Sequence, residues 1–309
     1  MLPCPGSDRE QLEAKIDLLE ECVGSKYPKG LEIGLEMEDL DNLKVLSDIE
    51  NNLSILPNHM TTSLHGPIKL ERGFQDNFFQ SQQGFESLVK TIQFARDIKA
   101  EPVNIHAHSY VSYQKLKILK RDGGIEAYRR KAIANVKLGL HRLKELFSPS
   151  PKICIENVPW CLTVDRVDDP QEALYELICV ELSDFLEIVN PAQNIFATVD
   201  IDHLAQWRDS SQLLDDIKKL GRGLGHVHFS DVGDIWQPFI SRVKEGIIPG
   251  DGRIGERVSK ELLEYFVTFA ERQELGIVLE VEEEDFSTPK NSRESLERTM
   301  KWLKELEGR

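Results

Sequence analysis

Lys152-Ile-Cys-Ile-Glu156 is a short run of apolar, largely β-branched residues that breaks off on a carboxylate. Runs of this length and composition read as buried strands. The same design recurs in Gly30-Leu-Glu-Ile-Gly-Leu-Glu36, Thr61-Thr-Ser-Leu-His65, Pro102-Val-Asn-Ile-His106, Ile195-Phe-Ala-Thr-Val-Asp200, Gly225-His-Val-His-Phe229 and Gly276-Ile-Val-Leu-Glu280. Met1-Leu-Pro-Cys4 is expected to add an eighth strand, feeding a helix over Gln11 to Cys22. The segments between are charged, with apolar residues at helical spacing: Phe85, Leu88, Val89, Ile92 and Phe94 within Gly84 to Ile98, and a longer stretch from Gly124 to Phe147. Strand-to-strand spacings of about 20 to 50 residues leave room for the crossovers that parallel pairing requires. Eight such α/β units predict one (β/α)8 TIM barrel, with residues 1–309 forming a single domain. No Pro/Gly/Ser-rich linker divides the chain, and the longest irregular stretches, near Trp160 to Pro170 and Val232 to Gly255, follow strands as active-site loops do.

Composition narrows the function classes. Of 309 residues, 40% are apolar and 29% charged, enough to build a core and unlike a disordered chain. No run approaches the ~18 apolar residues of a membrane span, and MLPCPGSDREQLEAK lacks the layout of a secretory signal, so the cytoplasm is expected. Cys4, Cys22, Cys154, Cys161 and Cys179 show no C-x-x-C spacing, which argues against a disulfide framework and a thiolate zinc site. With 38 Lys+Arg against 53 Asp+Glu the formal charge is −15, and this acidity counts against nucleic acid as a partner.

Six of the strand runs carry His65, His106, Glu156, Asp200, His228 and Glu280 at or next to their ends. A barrel gathers the C-terminal ends of its strands on one face, where barrel enzymes place their chemistry. Of the eight histidines only His141 falls inside a clear helical stretch, whereas His59, His65, His106, His108, His203, His226 and His228 lie at or near strand ends. One His or Glu at such a place is usually structural; six in successive units point to a site. Carboxylates and imidazoles crowded on one rim need a compensating charge, and a divalent cation supplies it. Oxygen and nitrogen ligands without thiolate suit Mn2+, Mg2+, Co2+, Fe2+ or Zn2+.

The motifs Ser63-Leu-His65-Gly-Pro67, Val103-Asn-Ile-His106, Ile155-Glu156-Asn157, Asp200-Ile-Asp-His203, His226-Val-His228-Phe-Ser-Asp231, Pro249-Gly-Asp-Gly252 and Leu279-Glu280, in this order, resemble the xylose isomerase-like TIM-barrel superfamily. That superfamily includes sugar and sugar-phosphate isomerases and epimerases together with the endonuclease IV family of apurinic-site nucleases. The resemblance implies Glu156, Asp200, His228 and Glu280 as metal ligands, with His203 near substrate or a second metal. His226 would point the same way at another depth of the barrel, and it ranks below His228 because H-x-x-D matches His228 to Asp231. Asp202 is either a ligand or an acceptor that orients an imidazole. Asp231, His65 and His106 are further candidates for a second metal or for substrate oxygens; His65 and His106 match the nuclease pattern, or are relics without a metal.

The activity so implied is isomerisation or epimerisation of a sugar or sugar phosphate through an enediolate. Glu156 and Glu280 would act as general base and acid, with His203 completing the catalytic group. The backbone N–H groups of Gly250 to Gly252 could receive a phosphate, or the segment is only a tight turn. Trp160, Trp207 and Trp236 would line a sugar pocket or pack. The chain also departs from its relatives. Asp234 stands where sugar epimerases often carry an Arg, and Leu162 where they carry a second Glu, so their specificity does not transfer. Lys244 and Gly246 occupy the places of the D-x-H pair that helps hold the third zinc of endonuclease IV. Alternatives to isomerisation are a metal-dependent phosphodiesterase or apurinic-site nuclease, a dehydratase, hydrolase or oxidative tailoring enzyme, and a non-catalytic metal- or ligand-binding barrel.

Overall fold

The architecture is that of a computed structural model describing residues 1–36, 38–67, 78–107, 109–159, 161–162, 174–206, 208–233, 244–283 and 288–308. In chain order the main elements begin with β1 (Leu2–Pro5), α1 (Arg9–Cys22), β2 (Lys29–Gly34), α2 (Leu43–Leu53), β3 (Met60–His65), α3 (Gln82–Asp97) and β4 (Val103–His106). They continue with β5 (Val111–Ser112), α4 (Tyr113–Arg121), α5 (Ile125–Leu146), β6 (Ile153–Glu156), β7 (Cys161–Leu162), β8 (Leu174–Tyr175) and α6 (Leu182–Ile188). The last third holds β9 (Ile195–Asp200), α7 (Ile201–Ala205), α8 (Ser210–Lys219), β10 (Leu224–His228), α9 (Gly255–Ala270), β11 (Gly276–Val278) and α10 (Lys290–Glu307).

Eight strands pair in the order β1-β2-β3-β4-β6-β9-β10-β11, and each of these pairs is parallel. Met1 bridges the remaining gap: its amino group donates to Ile277 O at 2.7 Å, and Leu279 N donates to its carbonyl at 2.9 Å. The expected (β/α)8 barrel is thus what the chain forms. Met1-Leu-Pro-Cys4 does supply a strand, shifted by one residue, whereas the last strand stops at Val278, two residues before Glu280.

Alternation along the strands sorts the side chains. Leu31, Ile33, Val103, Ile105, Ile153, Ile155, Ala197, Val199 and Val227 join the buried core formed with the helices. The helices dock through apolar stripes, as α3 does with Phe85, Leu88, Ile92 and Ala95. Burial of each such large side chain contributes roughly 1.5–3 kcal/mol. The residues of opposite parity, including Glu32, Asn104, His106, Glu156, Thr198, Asp200, His226 and His228, are buried and polar.

A second, three-stranded antiparallel sheet, β5-β8-β7, was not foreseen. It joins the segments that follow β4 and β6. There the buried Glu176 carboxylate accepts from Ser109 N, Ser109 Oγ, Leu177 N and Ile178 N, and its burial lifts the carboxyl to about 7. Trp160, Trp207, Trp236, His108 and Asp234 lie outside the described residues, as does most of the stretch from 160 to 170 and part of that from 232 to 255. Among the described residues no helix is long and apolar enough to cross a membrane.

Candidate functional site

Strand pairing sets the predicted residues side by side. His106 is in register with Glu156 across β4 and β6, and Asp200 with His228 across β9 and β10. Glu280 reaches the same place from the segment after β11. One ligand atom from each of Glu156, Asp200, His228 and Glu280 can be chosen so that all four lie within 4.8 Å of one another. Nδ1 of His228 stands 2.6 Å from Glu280 Oε2, 3.3 Å from Glu156 Oε1 and 3.8 Å from Asp200 Oδ2. Glu156, Asp200 and His228 are at most 2% exposed, while the Glu280 side chain, 40% exposed, opens the cluster to the barrel mouth.

Local hydrogen bonds hold these groups in place. Asp200 caps α7, its Oδ1 accepting from His203 N at 3.0 Å, which leaves Oδ2 facing the cluster. Asn157 fastens the same corner, giving Nδ2–H to Asp200 O and accepting from Asp200 N and from the His203 ring at Nδ1. Nε2 of His203 is thereby left facing Asp202 Oδ1, 3.8 Å away. Asp202 Oδ2 accepts from Ser230 Oγ and Gly246 N. His65 donates from Nδ1 to Gly66 O and meets Glu156 Oε2 at 3.1 Å through Nε2; His106 Nε2 reaches the same oxygen at 3.3 Å.

The electrostatics call for positive charge. Burial pushes the Glu156 carboxyl up, but the charges of His228 and His106 overcome this and leave it well below the usual carboxylate range. Burial disfavours the His228 imidazolium, yet Glu156, Glu280 and Glu32 together carry its pKa well above the usual imidazole value. For Asp202, burial and then the charge of Asp200 act together and drive the carboxyl well above its ordinary value. Burial and mutual repulsion among these carboxylates are what a cation would relieve.

A divalent cation fits this donor set. His228 Nδ1 and Glu280 Oε2 are buried and, among the described residues, have no hydrogen-bond partner although they face one another. Three carboxylates and one imidazole without thiolate match the oxygen and nitrogen preference of Mn2+, Mg2+, Co2+, Fe2+ or Zn2+.

Other candidate residues lie outside the four-residue cluster. Asp231 joins none of the converging groups. Its oxygens accept from Val232 N, Gly250 N, Gly252 N, Ile254 N and Gly255 N, which organises the loop before α9. The same bonds take up the Gly250 and Gly252 N–H groups considered for a phosphate, and any Cβ at residue 252 would come within 2.5 Å of Asp231 Oδ1. His226 is buried one layer below His228, its Nε2 bonded to Glu32 at 2.8 Å. His59 precedes β3, on the opposite side of the barrel from the site, and pairs with Glu20.

Three residues were missed. Glu32 contacts both His226 and His228. Asn104 donates to Glu156 and accepts from Thr198 Oγ1 at 2.6 Å. Glu245, bonded to Gln206 Nε2 at 2.8 Å, lies between the Lys244 and Gly246 positions where zinc ligands are absent. Glu32 and Asn104 carried a visible signal, since each is a polar residue inside an otherwise apolar run.

Comparison with known proteins agrees with the barrel fold. The chain is similar in fold to a D-tagatose 3-epimerase-like protein, with 16% identity, coverage of 99% of this chain and 98% of the other, and a TM-score of 0.65. A protein from Thermus thermophilus, soaked with zinc chloride, is 15% identical over 98% and 97% of the two chains, with a TM-score of 0.57. The 3-keto-D-glucoside 4-epimerase of E. coli is 12% identical over 96% and 95%, with a TM-score of 0.54. No curated protein matches the sequence. The family described as "Xylose isomerase-like TIM barrel" matches residues 50–306, and the chain belongs to that family.

Proposed function

We propose that the protein is a divalent-metal-dependent isomerase or epimerase acting on a sugar or sugar phosphate by proton abstraction next to a carbonyl. The observation that carries this reading is the convergence of Glu156, Asp200, Glu280 and Nδ1 of His228 on one point at the open end of the barrel. The epimerase names borne by two of the structural neighbours support the sugar class.

Glu156, Asp200, His228 and Glu280 would hold the cation. When bound, it would polarise adjacent carbonyl and hydroxyl oxygens of the substrate and acidify the C–H bond between them. Glu156 at the buried side and Glu280 at the open side are placed to flank a substrate and exchange its proton; as metal ligands both stay ionised, so one acts after shifting away or through water. His203 Nε2, with its other nitrogen tied to Asn157 O, would meet a substrate hydroxyl.

The test is C–H exchange in deuterated water, with the metal-loaded protein and a panel of ketoses and ketose phosphates. Metal-dependent incorporation beside the carbonyl is expected. A protein that binds metal yet exchanges none of the panel contradicts the enolisation chemistry.

One observation favours a second reading. Nε2 of His65 and Nε2 of His106 converge on the same oxygen, Glu156 Oε2, at 3.1 and 3.3 Å. A second cation among His65, His106 and Glu156 would serve a two-metal phosphodiesterase. Two metal equivalents and cleavage of abasic DNA would favour it over the isomerase.

A further inference from the structure

Beneath the candidate site lies a carboxylate that the proposed chemistry does not use. Glu32, on β2, is 2% exposed; its Oε1 stands 2.8 Å from His228 Nε2, and its Oε2 meets His226 Nε2 at 2.8 Å and Ser63 Oγ at 3.0 Å. We propose that Glu32 is a positioning residue: by keeping the proton of His228 on Nε2, it turns the Nδ1 lone pair toward the cation position among Glu156, Asp200 and Glu280. This rests on the metal reading of the site given above.

What an imidazole can offer a cation depends on its tautomer. A neutral ring carries one proton, and the nitrogen without it is the one that can bind a metal. Two neighbours compete for His228 Nε2 and ask for opposite tautomers. Glu32 is purely an acceptor and requires Nε2–H. The Asn104 amide is a donor, 3.4 Å from Nε2; were it to bond there, the proton would move to Nδ1 and close the ligand. Glu32 is nearer and charged, and charge-assisted bonds are the stronger ones, so the Nε2–H form prevails. Asn104 is otherwise occupied, donating to Glu156 and accepting from Thr198. His226 supports the arrangement from below, because its own Nε2–H holds the second Glu32 oxygen.

Glu32→Gln removes the charge and replaces one acceptor by an NH2 group. That group must face either His228, where it joins Asn104 in favouring Nδ1–H, or His226, whose bond to the carboxylate it breaks. Partners behind a metal-binding His commonly change metal affinity about 10- to 100-fold. Ser63→Ala is the control, since it removes a contact to the same carboxylate and leaves His228 untouched.

The experiment titrates chelator-stripped wild type, Glu32→Gln and Ser63→Ala with Co2+, following visible absorption and heat. It adds nitrogen-15 NMR of the histidine rings in Zn2+-loaded wild type, a measurement that needs no variant to fold. The expected results are ligation through His228 Nδ1 with the proton on Nε2, binding by Glu32→Gln weakened about 10- to 100-fold with an altered Co2+ spectrum, and Ser63→Ala within twofold of wild type. Wild type that binds Co2+ while Glu32→Gln keeps the same affinity and spectrum, or ligation through Nε2, overturns the role of Glu32 and leaves the site standing. Wild type that binds no metal overturns the site reading and the inference together.

Discussion

Nδ1 of His228 and Oε2 of Glu280 face each other across 2.6 Å at the mouth of the barrel, and neither has a hydrogen-bond partner among the described residues. Nε2 of the same ring is claimed by Glu32, so the Nδ1 side holds a lone pair against carboxylates unless a cation or a second proton intervenes. The cluster is therefore expected to respond both to metal and to pH.

Protons on the imidazoles are one way the carboxylates here are offset. Burial works against the His65 imidazolium, but Glu156 overcomes it and holds the pKa at about 9, against an ordinary value of 6.5. A group whose pKa is raised on folding stabilises the fold fully below its unfolded value and loses that contribution as pH rises through its folded value. Denaturant midpoints measured with chelator should therefore decline from pH 6.5 to 9. His65→Gln should flatten that decline, by no more than about 3 kcal/mol. Equal slopes for both proteins would contradict the pairing.

Asp231→Asn separates loop organisation from metal binding. The substitution leaves one oxygen for backbone donors that now share two, and turns an amide NH2 toward N–H groups. Buried groups left unsatisfied cost about 1–3 kcal/mol, so a loss of that order is expected in chemical denaturation. Metal affinity, read by calorimetry, should stay within a few-fold of wild type. A complete loss of metal from a folded Asp231→Asn protein would restore Asp231 as a ligand.

Much of the site could be read from the chain because its members end or follow apolar strand runs, as Glu156, Asp200 and His106 do. Glu280 shows the limit of that reading: its strand ends at Val278, and the carboxylate arrives from the following turn. Asp231 matched the H-x-x-D spacing, but its role depends on donors some 20 residues onward that appear only once the loop folds back. Glu32 escaped notice because a lone carboxylate in a strand normally faces water. Its meaning comes from His226, 194 residues away, which barrel closure brings into contact.

Gly276→Ala tests the layer beneath the site. A Cβ there would come within 2.4 Å of His226 Nδ1, on a buried ring that cannot retreat without disturbing its bond to Glu32. Overpacking of this kind costs about 1–3 kcal/mol, which a lowered denaturation midpoint should register. Unchanged stability would show that the ring has more freedom than its contacts imply.

His203→Ala addresses chemistry without removing a member of the four-residue cluster. Asp200 still caps α7 through the backbone N–H of residue 203. Under the isomerase reading, metal stoichiometry should hold while kcat/KM, once a substrate is found by isotope exchange, falls about 10²- to 10⁴-fold. Undiminished turnover would remove His203 from the catalytic group.

The central claim is that Glu156, Asp200, His228 and Glu280 hold one divalent cation. Elemental analysis of chelator-stripped protein reloaded with Mn2+ or Zn2+, beside Glu156→Gln and His228→Ala checked for native circular dichroism, tests it most directly. One equivalent of metal is expected in wild type, and its loss in both folded variants. Full occupancy in both would contradict the claim.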